Sequence, residues 1–341
     1  MANTNSVSVA EQLALALTRP GTLAPLPAVA LQAMRLAESA NANQHDLIRV
    51  VSSDPALSAR ILRIVNSAFY GVRTPVTSLN TAVSVLGFGA IKNIALAASL
   101  TRTFRGTKDA AFDPRTLWMH SVAVGATAQL IAARTKTVDA SDAFLAGLMH
   151  DIGVIVELQL SPIQFLGVLK AAERNPAMRF RDAELDFFGA SHEAYGEALA
   201  IAWQFPLNIR QVCGFHHRPL EAADDARLLT SLVHVADIVA AQAGAGFTRT
   251  VESLQPDSAI AAAVGVTDAM LAEIRATLPA QIAEVMPLLE GEDPWQHDDL
   301  CSIPNHCRRC HFRQTCAACG RCNILKTKQM RRETSGRSDV T

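Results

Sequence analysis

Apolar positions along this chain recur at intervals of three and four, and no stretch sustains an alternation of period two. The pattern predicts an all-α protein. Residues 7–19 read as a short helix broken by Pro20-Gly21. From Leu26-Pro27 to about Asp109 a multi-helix region follows, with Val29, Met34, Leu36, Leu47, Ile48, Val51, Leu57, Ile61, Leu62 and Val65 as its core. Asp54-Pro55 and Asp113-Pro114 are helix starts, each a capping carboxylate followed by proline at the first helical position. Near the C-terminus Leu271, Ile274, Leu278, Ile282, Val285 and Leu289 mark one helical face, with Pro279 inside it. That segment is one kinked helix or two. Its face either packs back on the body or forms an exposed seam for a second copy of the chain.

Polar groups interrupt this pattern at informative places. The apolar run from Ala143 to Met149 ends in adjacent His150 and Asp151, followed by Ile152-Gly153. An imidazole and a carboxylate at the end of a buried helix can serve one metal ion. Upstream, His120 shares a face with Leu117, Val124, Ala128 and Ile131. Downstream, His192 shares one with Gly196, Leu199 and Trp203, and Gly196 leaves room for close approach. His216-His217 end the segment Leu207–Phe215, and Asp237 lies among Thr230, Val233 and Ala240. A buried acid needs a partner. The plain alternative to a metal site is a polar network that holds five helices in register.

The order His120, His150-Asp151, His192, His216-His217, Asp237 resembles the HD metal-dependent phosphohydrolase superfamily. Together with Leu26-Pro27, Ser53 to Leu62, Val65-Asn66-Ser67 to Gly71, Ala82 to Gly87, Trp118-Met119-His120-Ser121 and Trp203-Gln204-Phe205-Pro206, it is similar more closely to HDOD, the HD-related output domain of bacterial signalling proteins. The likeness covers roughly residues 20–245. It implies an N-terminal helical half and an HD-like helical bundle. It also implies a regulatory protein that relays a signal through a protein partner, a nucleotide or another phosphorylated ligand. By resemblance to the bimetal branch, one ion would take His120, His150, Asp151 and Asp237, and a second Asp151, His192, His216 and His217. Imidazole and carboxylate ligands suit iron, manganese or zinc.

The rival function is a metal-dependent phosphodiesterase or phosphohydrolase, possibly for a cyclic dinucleotide, with His150 and Asp151 as candidate catalytic residues. Two departures speak against it. Val154 stands where catalytic relatives carry lysine, and the Gly-Tyr-Pro loop that follows the paired histidines in such enzymes is absent after His217. Asn66-Ser67 is read as satisfying backbone groups between helices, and Cys213 as a buried thiol.

Composition sharpens the picture at the C-terminus. The chain has 341 residues, 49% of them hydrophobic, and six of its seven cysteines lie between Cys301 and Cys322. Cys301, Cys307, Cys310, Cys316, Cys319 and Cys322 form a metal-binding module in which Cys307, Cys310, Cys316 and Cys319 suit zinc. The run Cys316, Cys319, Cys322 equally matches three thiolates of an iron-sulfur cluster, which would make the module a redox sensor. Net charge is -1, but nine basic residues beyond residue 300 leave the body acidic and the tail basic. Nucleic acid is thus a weaker candidate partner, and a homodimer is a further possibility. The expected divisions are 1–19, 20–112, 113–245, 246–290, a linker 291–300, the cysteine module 301–325 and a basic tail 326–341. No apolar run is expected to reach a bilayer span, and no secretory signal is read, so a cytoplasmic location and no membrane partner are expected.

Overall fold

Capping signals place the helix boundaries. The computed structural model describes residues 8–18, 26–38, 43–101, 103–104 and 111–290. Within them the N-terminal half comprises α1 (Val9–Thr18), α2 (Ala28–Glu38), α3 (Gln44–Ser52), α4 (Pro55–Val65) and α5 (Leu79–Leu100). The second half comprises α6 (Pro114–Thr135), α7 (Ala140–Met149), α8 (Ile152–Leu160), α9 (Pro162–Arg174), α10 (Phe180–Phe188), α11 (His192–Ala202), α12 (Leu207–Phe215) and α13 (Asp224–Gln242). Two more helices follow, α14 (Ser258–Val264) and α15 (Asp268–Glu290). No strand occurs among the described residues, as the helical spacing predicts.

Asp54 accepts a hydrogen bond from the Leu57 amide at 3.0 Å, with Pro55 opening α4. Asp113 does the same for Arg115 ahead of Pro114 in α6. Asn66, just past α4, donates through Nδ2 to the Leu62 and Val76 carbonyls, both at 2.8 Å, and accepts from the Val76 amide at 2.7 Å. It ties the loop beyond α4 back to the helix, which is the structural role expected of it.

α6 runs against α7, α13 and α15, and α7 in turn meets α5, so the second half is built around two adjacent buried helices. Leu117, His120, Val124, Ala128 and Ile131 are all buried, as the shared face predicts. α15 is one continuous helix despite Pro279 and Pro287. Its face Leu271, Ile274, Leu278, Ile282, Val285 and Leu289 is buried against α6, α4, α13 and α5, so it is no exposed seam. Arg134 on α6 grips Glu273 on α15 with two hydrogen bonds of 3.0 and 2.8 Å.

One expectation needs correcting. Leu79–Leu100 and Ala140–Leu160 are both long and apolar enough to cross a membrane. Each is interrupted, the first by non-helical backbone at Gly87 and the second by His150-Asp151, which hides its length from a search for unbroken runs. Both are core helices here, with 83% of the second stretch buried. The cysteine module and the basic tail lie outside the described residues.

Candidate metal centre

The centre forms where two helices meet end to end. His150 follows the last residue of α7 and Asp151 precedes the first of α8. Asp151 sits at the N-cap of α8, yet its carboxylate makes no cap. Instead Oδ2 accepts a 2.9 Å hydrogen bond from the Thr250 hydroxyl and lies 3.4 Å from His150 Nε2. Oδ1 faces the other way, 3.4 Å from Nε2 of both His192 and His216. Gly153 makes this junction possible: a Cβ there would fall 1.8 Å from the His192 carbonyl oxygen and 2.7 Å from the Gly196 amide nitrogen. The room expected at Gly196 is thus used by the start of α8.

Each remaining group is delivered by its own helix. His120 comes from α6, His192 from the start of α11, His216-His217 from just beyond α12, and Asp237 from α13. His120 Nε2 lies 2.9 Å from Asp237 Oδ1, and His150 Nε2 lies 3.7 Å from the same oxygen. His192 Nε2 is 3.2 Å from His217 Nε2 and 3.4 Å from His216 Nε2. All seven expected residues therefore converge. They fall into two groups that share Asp151, one holding His192, His216 and His217, the other His120 and His150 with Asp237 beside them.

The imidazoles are pinned from behind. Nδ1 of His120 donates to the Ala245 carbonyl at 3.0 Å, that of His150 to Gly147 at 2.7 Å, and that of His216 to Val212 at 3.2 Å. Gly246, at φ 71°, lets the chain carrying the Ala245 carbonyl reach His120, since a Cβ would meet the Thr116 oxygen at 2.2 Å. His192 Nδ1 faces the Glu184 carboxylate at 2.8 Å. A carbonyl or carboxylate can only accept, so Nδ1 of each ring holds a proton; the Nε2 atoms of His150, His192 and His216 present lone pairs when those rings are neutral, whereas His120 Nε2 faces the Asp237 carboxylate. A hydrogen bond from the far ring nitrogen orients histidine ligands in metal sites.

A cation fits these donors. The Nε2 atoms of His216 and His217 stand 3.4 and 3.2 Å from that of His192, a spacing at which lone pairs repel unless a proton or a cation lies between them. The edge of a tetrahedron of zinc-like bonds is about 3.3–3.4 Å. His150 Nε2 and Asp151 Oδ1 are buried with no hydrogen-bond partner, a costly arrangement in a sealed interior. Charge balance agrees. Burial opposes protonation of His192, yet the carboxylates of Glu184, Asp151 and Glu193 outweigh it and raise its pKa to about 9. Burial alone would raise the Asp151 and Asp237 carboxyls. The nearby imidazoles of His150, His216 and His192 instead hold Asp151 well below its ordinary range, and the His120 hydrogen bond together with the charge of His150 holds Asp237 low. His217 goes the other way: burial, with His216 and His192 beside it, pushes it well below the ordinary histidine range.

Three groups escape a reading of the sequence. Glu184 on α10 shares the inner face of Phe180 and Ala183, and Glu157 follows Val154-Ile155-Val156 in α8. Each is an acid at a core position, a signal of the kind that marked Asp237. Thr250 lies in a loop where no periodicity could single it out. Cys213 takes no part: its buried thiol donates to the Met149 carbonyl at 3.3 Å, and burial pushes its pKa up, away from thiolate.

Access is narrow. His120, His150, Asp151, His192, His216 and Asp237 are at most 1% exposed, and His217 alone of the seven is half-buried. Beside it Arg218 pairs with Glu221 at 2.7 Å and approaches Glu193 at 3.6 Å. Val154 is wholly buried, so that position offers no cation to a ligand.

Residues 23–219 match the model of the HDOD domain. Among solved structures, the chain resembles an HDOD domain protein of unknown function from Geobacter sulfurreducens, with 24% identity, TM-score 0.67, and coverage of 84% of this chain and 97% of that one. It also resembles a protein from Marinobacter aquaeolei VT8 provisionally described as a signal transduction protein (23% identity, TM-score 0.65, 84% and 66% covered). A third, from Shewanella amazonensis SB2B, is provisionally described as a phosphohydrolase (21% identity, TM-score 0.62, 82% and 97% covered). These likenesses bear on the fold. An uncharacterized protein of Treponema pallidum is 26% identical over 215 residues, 62% of this chain, and the match spans only 41% of that protein's length.

Proposed function

Because the chain belongs to the HDOD domain family, we propose that it is a signalling protein whose second half holds a divalent metal centre and relays a signal by engaging a protein partner or a small phosphorylated ligand. The observation that carries this reading is the set of four imidazoles pinned through Nδ1, with their Nε2 atoms gathered around the two oxygens of Asp151. His120, His150, Asp151 and Asp237 would hold one ion, and Asp151, His192, His216 and His217 the other. A bound divalent cation supplies Lewis acidity toward a phosphoryl oxygen.

Burial favours regulation over turnover. Six of the seven ligand groups are sealed, and His217 alone borders the approach, so a phosphorylated ligand would meet the centre at that edge. Arg218 is the cation placed there, and it is already engaged by Glu221 and Glu193. The second reading, a phosphohydrolase, is supported by the sharing of Asp151 between two groups of histidines, the arrangement needed to set two cations side by side. Relatives described as signal transduction proteins and as phosphohydrolases accord with either reading. Zinc or an iron-sulfur cluster at Cys301 to Cys322, and a cytoplasmic location, remain proposals from the sequence.

Elemental analysis of anaerobically purified protein tests the reading. Wild type is expected to carry metal that the double variant His150→Ala, Asp151→Ala lacks, and equal content in the two proteins would refute a metallated pocket. If the metal is present, assays with phosphodiesters and phosphomonoesters should show no turnover; metal-dependent hydrolysis would move the assignment to the enzyme.

A further inference from the structure

Behind His192 lies a carboxylate that is no member of the ligand set. Glu184 and Glu157 are both wholly buried acids, on α10 and α8. Glu184 takes hold of His192 twice. Its carboxylate accepts from the His192 backbone amide at 3.0 Å and from Nδ1 at 2.8 Å. The amide is one of the unpaired donors at the start of α11, where Ser191 at the cap position makes no side-chain hydrogen bond. One acid therefore fixes both the position of the helix start and the tautomer of its first side chain. It is also the one charged orienter among the four pinned imidazoles, since the others donate to backbone carbonyls.

Glu157 on α8 is the second sealed acid, and its two carboxyl oxygens have no hydrogen-bond partner.

We propose that Glu184 is the positioning residue of the His192, His216, His217 pocket, locking His192 to present Nε2 to a divalent transition-metal ion. The proposal rests on the metal reading given above. Removing such a partner typically weakens metal affinity about 10–100-fold.

Mn²⁺ is the probe for the test, because it favours nitrogen and oxygen ligands over the thiolates of the cysteine module. Full-length protein is titrated with Mn²⁺, and free ion is followed by electron paramagnetic resonance. Wild type binds two ions. Glu184→Gln weakens one of them about 10–100-fold and leaves the other within about twofold. Should Glu184→Gln fail to fold, a measurement on unmutated protein decides the matter: in the zinc-loaded form, ¹⁵N resonances must place the His192 proton on Nδ1. A proton on Nε2, or unchanged affinity in Glu184→Gln, overturns the proposal. Wild type that takes up no Mn²⁺ overturns the metal reading itself, a result distinct from two ions bound equally by wild type and variant.

Discussion

The two halves put their polar side chains to different uses. In the N-terminal half, exposed and half-buried polar side chains serve the backbone: Asp54 caps α4, Asn66 closes its loop, and Ser67 donates to the Ile64 carbonyl at 2.7 Å. In the second half, histidines and carboxylates occupy core positions on α6, α11 and α13 and at the ends of α7 and α12. Two of their atoms, His150 Nε2 and Asp151 Oδ1, have no hydrogen-bond partner. The first half spends polarity on its own architecture, and the second keeps it for something the chain itself does not supply. A site that breaks the rules of core composition while its surroundings obey them is where function is to be sought.

The largest effect that would break this contrast is at the junction of α7 and α8. Gly153→Ala puts a methyl 1.8 Å from the His192 carbonyl oxygen, so α8 must move away from α11. We expect a loss of about 3 kcal/mol or more in urea denaturation; a loss under about 1 kcal/mol would show that the junction is pliable. Next comes metal removal. Protein holding an ion at about a hundred times its dissociation constant should lose about 2.7 kcal/mol on chelation. The same loss is expected in an Asn66→Ala background, because the two sites share no partner. Asn66→Ala alone should cost roughly 2 kcal/mol through its three backbone hydrogen bonds, with metal content unchanged. A change in metal content would erase the distinction between the halves.

The smallest effect concerns pH. Burial, the adjacent Glu184 and the charge of Asp151 raise the Glu157 pKa well above its ordinary value. Between the two values the folded protein holds a proton that the unfolded chain has released. Stability from this group is therefore complete below the ordinary glutamate range and declines as pH rises toward the raised value. Glu157→Gln should flatten that decline, gaining on wild type from mildly acidic pH upward and showing no difference at low pH. Parallel pH profiles in denaturant titrations would mean that Glu157 is ionised in the fold.

Much of this protein was legible in its sequence. Helical spacing, caps at Asp54 and Asp113 and the absence of period-two alternation are local properties, and local physics fixes them. The seven candidate ligands were also legible, because a histidine or aspartate on an apolar helical face needs an explanation wherever the helix ends up. Glu157 and Glu184 carried the same signal, but an acid beside charged neighbours in α10, or beside Leu158 in α8, does not stand out until burial is known. What the chain order could not supply was convergence. Asp151 turns one oxygen toward His150 and the other toward His192 and His216 only because α8 starts against α11, through Gly153 and Gly196. Thr250 reaches the same carboxylate from 99 residues away. Whether α15 exposes its apolar face was equally undecided by periodicity, which shows that a face is apolar but not what covers it. Packing on α6 and α4 covers it, because burying that face removes apolar surface from water.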